Sequence, residues 1–352
     1  MPQLSIEGWP QPVDTAKRSL LDAALRAGVP YPHGCRTGEC GACKSRLIAG
    51  EISHGHCDPN ALSVDERQAG LILPCRAHAK TDVVLSWKIE GASVSPMRVK
   101  ARINSIERAA ADVVIVRLQP ETQFPFKAGQ FARLRFDDNP ARSYSMANHP
   151  QDECLEFHIR LLPGGLISTY VAEKARLGAL VEIEGPFGSA YLRDNPQAPL
   201  VAIAGGTGLA PIRAIVEHAL SIGWEERMQV WAGFRSAEHR YGDSLLDEWR
   251  AKGIEVQVCL DETLDARSAA PLHREFADQA DLEPGANYYV CGSPGMVEAI
   301  KATIVAKGVL PNSVFADAFT TAVAVATPAS RPAFGIRSLF NMACEIEAGM
   351  RQ

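Results

Sequence analysis

The chain has 352 residues, 46% apolar and 22% charged, with a formal net charge of −5. That balance suits two or three globular domains, and the lack of a basic excess argues against a nucleic-acid partner. No run approaches the roughly eighteen apolar residues of a membrane span, and the opening MPQLSIEGWP lacks the pattern of a secretory signal, so a cytoplasmic setting without membrane contact is expected.

Residues 1–92 read as a first domain. Lys17 to Ala27 has helical spacing, with Leu20, Leu21, Ala24 and Leu25 on one face, and Val83 to Leu85 reads as a strand. Glu90 to Pro96 has linker composition. Residues 98–195 read as all-β: Leu155, Phe157, Ile159 and Leu161 alternate with Glu156, His158 and Arg160, and Ala132, Leu134 and Phe136 alternate with Arg133 and Arg135. Several such runs predict a small barrel. Across 196–321, apolar strands at Leu200–Ala204, Val230–Ala232, Val256–Leu260 and Tyr288–Cys291 alternate with helical stretches, the pattern of a parallel α/β sheet. Residues 322–352 read as an extension, with a flexible Ala/Thr/Pro-rich stretch at 320–335 and one amphipathic helix at 336–350.

In a reducing compartment, nine cysteines should be metal ligands, catalytic thiols or core residues, and four of the nine crowd between Cys35 and Cys57. Cys35, Cys40 and Cys43, with Cys75 further on, have the spacing C-x4-C-x2-C…C of a plant-type [2Fe–2S] cluster. Two sulfide-bridged irons need four thiolates in a compact shell, and Gly38 and Gly41 let one loop wrap closely around them. Zinc ribbons generally pair two C-x2-C knuckles, and only one occurs here. Ser53-His-Gly-His-Cys57 invites a second metal, even a Rieske centre, but no matching Cys/His pair follows; a solvated loop is expected.

Arg142-Ser-Tyr-Ser145, Pro163-Gly-Gly-Leu-Ile-Ser168 and Gly185-Pro-Phe-Gly188 are individually weak signals, and the first is equally an ordinary strand end. A flavin needs an aromatic face, a cation for its diphosphate and small residues near phosphate oxygens, which Tyr144, Arg142 and the 164–168 turn can supply. Gly205-Gly-Thr-Gly208 lies between a strand and a helix, where a phosphate turn belongs. Pro211 stands where the dinucleotide fingerprint has its third glycine, and an unliganded tight turn remains the alternative. Cys291 ends another strand, facing a ligand crevice or simply the core.

The order of these motifs resembles the reductase components of bacterial aromatic-ring oxygenase systems, closest to naphthalene- and terephthalate-type reductases of the ferredoxin–NADP+ reductase superfamily. The resemblance covers residues 1 to about 321. It implies a multidomain α+β and α/β fold: a plant-type ferredoxin (β-grasp) domain, a six-stranded antiparallel FAD barrel and a doubly wound NAD(P)-binding domain. It implies an NAD(P)H-dependent iron–sulfur flavoprotein that carries electrons through FAD and a [2Fe–2S] cluster to an oxygenase component, or to a Rieske or plant-type ferredoxin. By the same resemblance, Cys35, Cys40, Cys43 and Cys75 hold the cluster. Arg142, Tyr144, Ser145, His158, Arg160, Gly165 and Ser168 serve FAD. Gly206, Thr207, Gly208, Arg235, Cys291 and Gly292 serve the nicotinamide nucleotide, and Phe319 shields the flavin; Ser145, Thr207 and Cys291 stand nearest the chemistry. The run Ala237-Glu238-His239-Arg240 departs from the family pattern: Glu238 suits the ribose hydroxyl of NADH, whereas His239 and Arg240 suit the extra phosphate of NADPH. A deoxysugar-dehydratase reductase and a stand-alone flavin or ferric reductase are the alternative readings.

Overall fold

The computed structural model describes residues 1–29, 31, 33, 36–38, 41–58, 61–86, 96–193, 195–262, 271–283 and 285–319. The expected linker at 90–95, the extension beyond 319 and two of the four cluster cysteines, Cys35 and Cys40, lie outside these residues.

The first sheet has the order β2-β1-β7-β3-β5, with β1 Gln3–Ile6, β2 Val13–Asp14, β3 Ser45–Ala49, β5 Leu71–Ile72 and β7 Val83–Ser86. Strands β1 and β7 run parallel and the other pairs antiparallel. Helix α1, Leu20–Arg26, closes the core with Leu20, Leu21, Ala23 and Ala24. It starts later than the periodicity suggests, because Ala16 and Lys17 have positive φ and Ser19 caps the Asp22 amide. A correction concerns Ser53-His-Gly-His: Ile52–His54 forms strand β4, paired with β6 Ala77–Ala79, although both histidines stay exposed. That pairing carries the segment holding Cys57 alongside the one leaving Cys75. Helix α2, Val64–Gln68, leads into β5.

The second sheet is antiparallel throughout, in the order β11-β10-β13-β8-β9-β12. Its strands are β8 Met97–Ala110, β9 Val113–Pro120, β10 Phe131–Phe136, β11 Arg142–Ser145, β12 Leu155–Arg160 and β13 Leu180–Phe187, with the short helix α3, Leu166–Thr169, between β12 and β13. A bridge between Met146 and Phe157 draws the two edges together into a nearly closed barrel. The β10 arginines expected on the outer face pair with acids of β13, Arg133 with Glu184 and Arg135 with Glu182. Strand β12 departs from simple alternation. Leu155, Phe157 and Ile159 fill the barrel, but Glu156 and His158 are buried too.

The third sheet is parallel, in the order β16-β15-β14-β17-β18. Its elements are β14 Leu200–Gly205, α4 Leu209–Ser221, β15 Met228–Phe234, α5 Asp243–Ala251, β16 Glu255–Leu260, α6 Leu272–Gln279, β17 Asn287–Gly292, α7 Pro294–Ala306 and β18 Val314–Ala318. Leu200, Ala202 and Ala204 of β14 face the core that holds α4 and α5; Val201 and Ile203 face the one that holds α6 and α7. The sheet is therefore doubly wound, and the chain reverses direction at β14/β17, where a ligand crevice is expected at the strands' carboxyl ends.

The barrel and this sheet share one apolar seam: Val113, Ala128, Ala190 and Leu192 belong to the core of Ile212, Ile215 and Ala219 of α4. Beside it lies the buried carboxylate that explains β12. Glu156 accepts Arg117 Nε at 2.7 Å through Oε2, and accepts Arg213 of α4 and His158 Nε2 through Oε1. The other His158 nitrogen lies 2.9 Å from the Tyr241 hydroxyl, which follows the third sheet's second strand. Burial alone would raise the Glu156 carboxyl; the His158 hydrogen bond and the arginine charges outweigh it and bring it from 4.5 to about 2. Burial also lowers His158, so its ring is neutral: Nε2–H donates to Glu156 and Nδ1 accepts from Tyr241.

A depressed carboxyl stabilises the fold fully above its unfolded value of 4.5, and that stabilisation is lost as pH falls toward about 2. Glu156→Ala leaves Arg213 and His158 without their partner and should cost about 3 kcal/mol, the low end for breaking a buried pair because the arginines are partly solvated. Thermal midpoints of wild type and variant measured from pH 7 down to pH 3 check this: the gap should narrow as the pH falls.

Candidate active site and cluster loop

The crevice forms where β14 and β17 end. Gly206, Thr207 and Gly208 make a single 3-10 turn between β14 and α4. Gly206 has φ +56, with open space where a side chain would point. Gly208 is required by contact: a Cβ there would lie 2.1 Å from the Cys291 carbonyl oxygen. Gly292 likewise meets the Gly205 Cα at 3.1 Å. Thr207 is buried, and Pro211 fits in the first turn of α4. A concave turn with near-bare backbone at a helix start fits a diphosphate.

Three residues from three strands meet at the seam. Ser145 ends β11, Cys291 lies on β17, and Asp317 is its register partner on β18. The Ser145 hydroxyl donates to Asp317 Oδ2 at 3.3 Å. Cys291 is fully buried; burial, then the Asp317 charge, push its thiol well up, against a hydrogen bond from the Asp317 backbone. The thiol is therefore protonated at neutral pH, not a nucleophile. Asp317 was not among the expected site residues; its signal was its place two residues before Phe319, whose amide binds the Gly292 carbonyl at 2.8 Å.

On the barrel, Arg142 and Tyr144 are half-buried on β11. Tyr144 lies against the barrel core and burial pushes its hydroxyl up, so the ring offers an apolar face. Gly165 caps α3, and a Cβ there would crowd the Ser168 hydroxyl at 2.9 Å. That hydroxyl accepts the Leu162 amide at 2.8 Å and so shapes the turn. Arg160 is paired with Asp112 at 3.0 Å, and both His158 nitrogens are engaged inside the protein. The His158 ring is thus part of the seam between the barrel and the parallel sheet.

After β15, Arg235 is exposed, 3.4 Å from Glu262. His239 bonds Ser236 at 2.8 Å and Arg240 pairs with Asp243 at 2.6 Å, whereas the Glu238 side chain is exposed. In the first sheet's domain, Cys43 and Cys75 are buried in one core, together with Cys57. Gly38 and Gly41 have φ +92 and +68, the left-handed backbone that a tightly wrapped ligand loop needs. A Cβ at Gly38 would strike Arg76 at 2.7 Å. Buried thiols below a glycine-turned loop fit a cluster.

These features define an iron–sulfur flavoprotein oxidoreductase, and the comparisons agree. Residues 7–80 match the 2Fe-2S iron-sulfur cluster binding domain, 100–191 the oxidoreductase FAD-binding domain and 202–302 the oxidoreductase NAD-binding domain. The chain is 34% identical over 313 residues to the ferredoxin–NAD(P)+ reductase component of the naphthalene 1,2-dioxygenase/salicylate 5-hydroxylase systems of Ralstonia, covering 86% of this chain and 93% of that one. It is 32% identical over 320 residues to reductase component 1 of the Comamonas terephthalate 1,2-dioxygenase, covering 86% and 93%. The crystal structure of the Amycolatopsis cytochrome P450 reductase GcoB superposes with a TM-score of 0.69 at 29% identity, covering 92% of this chain and all of that one.

The chain belongs to the family of reductase components of aromatic-ring dioxygenase systems. It is an NAD(P)H-dependent oxidoreductase that uses FAD and a [2Fe–2S] cluster. No helix among the described residues is long and apolar enough to cross a membrane.

Gly208→Ala should force β14 and β17 apart at the crevice. We expect a loss of about 2 kcal/mol from overpacking and a rise of about tenfold or more in the KM for the nicotinamide nucleotide. Thermal denaturation and steady-state kinetics read the two effects.

Proposed function

We propose that this chain takes electrons from NADH and delivers them singly to the oxygenase component of a ring-hydroxylating dioxygenase, or to its ferredoxin. The observation that carries this reading is the meeting of Ser145, Cys291 and Asp317 at the seam, directly beside the Gly206–Gly208 turn. When bound, FAD supplies conversion of a two-electron donor into single electrons, and the cluster supplies a one-electron outlet.

The chain's own residues bind, orient and exclude water. Arg142 brings positive charge for the FAD diphosphate, Tyr144 an aromatic face, and Ser145 a hydroxyl oriented by Asp317. Gly165 and the turn shaped by Ser168 leave room for phosphate oxygens, and Arg160 borders the same strand. Gly206, Thr207 and Gly208 receive the nucleotide diphosphate. Cys291 and Gly292 form a dry, neutral wall for the nicotinamide, and Phe319, tied to Gly292, shields the flavin. Cys35, Cys40, Cys43 and Cys75 hold the cluster. The working units are 1–92, 98–195 and 196–321, with 322–352 as an extension, and the setting is the cytoplasm.

NADH is favoured over NADPH because His239 and Arg240 already have partners, while Glu238 stands exposed after Arg235, where a ribose hydroxyl would bind. The ratio of kcat/KM should favour NADH by about tenfold or more and fall in Glu238→Gln; a preference for NADPH overturns the assignment.

Anaerobic titration with NADH, followed by visible absorbance, tests the whole reading. Flavin and iron–sulfur bands should both bleach, at about three electrons per chain, two for flavin and one for the cluster. Cys43→Ser should lose the iron–sulfur band while flavin still bleaches. Bleaching of the flavin alone in the wild-type chain overturns the relay.

A further inference from the structure

The loop that leaves the barrel, from Gly188 to Arg193, touches all three sheets' domains. A Cβ on Gly41 of the cluster loop would lie 3.7 Å from the Ser189 Cβ and 3.4 Å from the Ala61 carbonyl oxygen, ordinary contact distances, so the cluster loop lies beside Ser189 with space for no more than a small side chain between them. Gly129 of the barrel packs beneath the same loop, where a Cβ would lie 2.4 Å from the Ala190 carbonyl oxygen.

Arg193 holds this loop from within. Its Nη2 donates to the Ser189 carbonyl at 2.7 Å, closing the loop on itself. Its guanidinium sits 3.9 Å from the Tyr191 ring centre and 4.4 Å from that of Phe315 on β18. Phe315 is stacked on Tyr289 of β17 at 5.2 Å, and the Tyr289 hydroxyl accepts the Arg193 amide at 2.9 Å. One side chain thus ties the strands of the nucleotide crevice to the residue against which the cluster loop rests. A lysine could keep a charge over the rings but not the same planar reach to the Ser189 carbonyl.

We propose that Arg193 is a positioning residue for electron transfer between the flavin barrel and the cluster domain: it holds the 189–193 loop in the shape on which the cluster loop seats at Gly41. This rests on the reading that electrons pass from FAD to the cluster. The electron concerned is lost by reduced flavin and gained by the oxidised cluster, with no bond made or broken. Its rate falls steeply with separation, so a loosened seat slows that passage and leaves flavin reduction by NADH untouched.

Arg193→Met keeps an unbranched stem and removes the carbonyl bond and the charge. The loop remains attached through the Leu192 amide on the Ala128 carbonyl at 2.8 Å and Gln130 Nε2 on the Gly188 carbonyl at 3.4 Å. Two rates are compared on the purified holoprotein: NADH–ferricyanide, which drains the flavin directly, and NADH–cytochrome c, which drains the cluster. In Arg193→Met the first should stay within about twofold of wild type and the second should fall about tenfold or more, with partial recovery in Arg193→Lys. Hydrogen exchange gives an independent readout: peptides covering 186–193 and 36–44 should lose protection in Arg193→Met, and those of β14 and β17 should not. Equal rates in variant and wild type, both rates falling together, or a variant purified without flavin each overturn the proposal. If the wild-type cluster is not reduced by NADH at all, it is the relay reading that fails.

Discussion

Contact between the barrel and the parallel sheet is the condition on which every other feature of the site rests. The apolar part is shared by Val113, Ala128, Ala190 and Leu192 with Ile212 and Ile215 of α4. Burial of such surface supplies most of the driving force but little direction. Direction comes from Glu156, whose two oxygens take Arg117 on one side and Arg213 and His158 on the other. A carboxylate removed from water must have such partners; Arg117 and His158 belong to the barrel itself, but Arg213 of α4 reaches Glu156 only when the two units are aligned. With that alignment set, Ser145 of one unit reaches Asp317 of the other.

The chemistry available at the seam is that of position and polarity. Burial keeps His158 neutral and the Cys291 thiol protonated. Neither is a ready base or nucleophile, and electron transfer requires neither. What such a site needs is a water-poor crevice and backbone that can approach its ligands closely. The glycines at 206, 208 and 292 meet that need through two different physical causes: Gly206 through its positive φ, Gly208 and Gly292 through contacts that a Cβ would turn into clashes.

The first domain is built on a similar economy. It has a core of its own, and the loop above it turns through left-handed glycines at 38 and 41. The same Gly41 lies beside Ser189, and Lys301 of α7 reaches Asp58 at 3.4 Å. The partly buried ion pair is long and adds modest energy on its own. Together with the glycine contact it brings three separately cored units into one arrangement, which a relay of electrons over short distances requires.

The sequence by itself determined much of this protein. The cysteine spacing named the cluster type, because four thiolates around two irons leave few loop lengths open. Period-two and helical runs marked the barrel and the α/β sheet, because each reflects a local geometry with one apolar face. The glycine turn and Cys291 fell at strand ends, where parallel sheets bind ligands. What the tertiary structure alone decided was which polar residues are buried, and against what. Glu156 and His158 alternate with apolar neighbours as a solvent face would, yet α4 and Tyr241 cover them. Asp317 carries no motif and joins the site because β18 lies beside β17 in register. His239 and Arg240 look suited to a phosphate until their partners Ser236 and Asp243 are seen. Local pattern reports local geometry; burial and pairing depend on contacts between residues far apart in the chain, and those exist only once the units have packed.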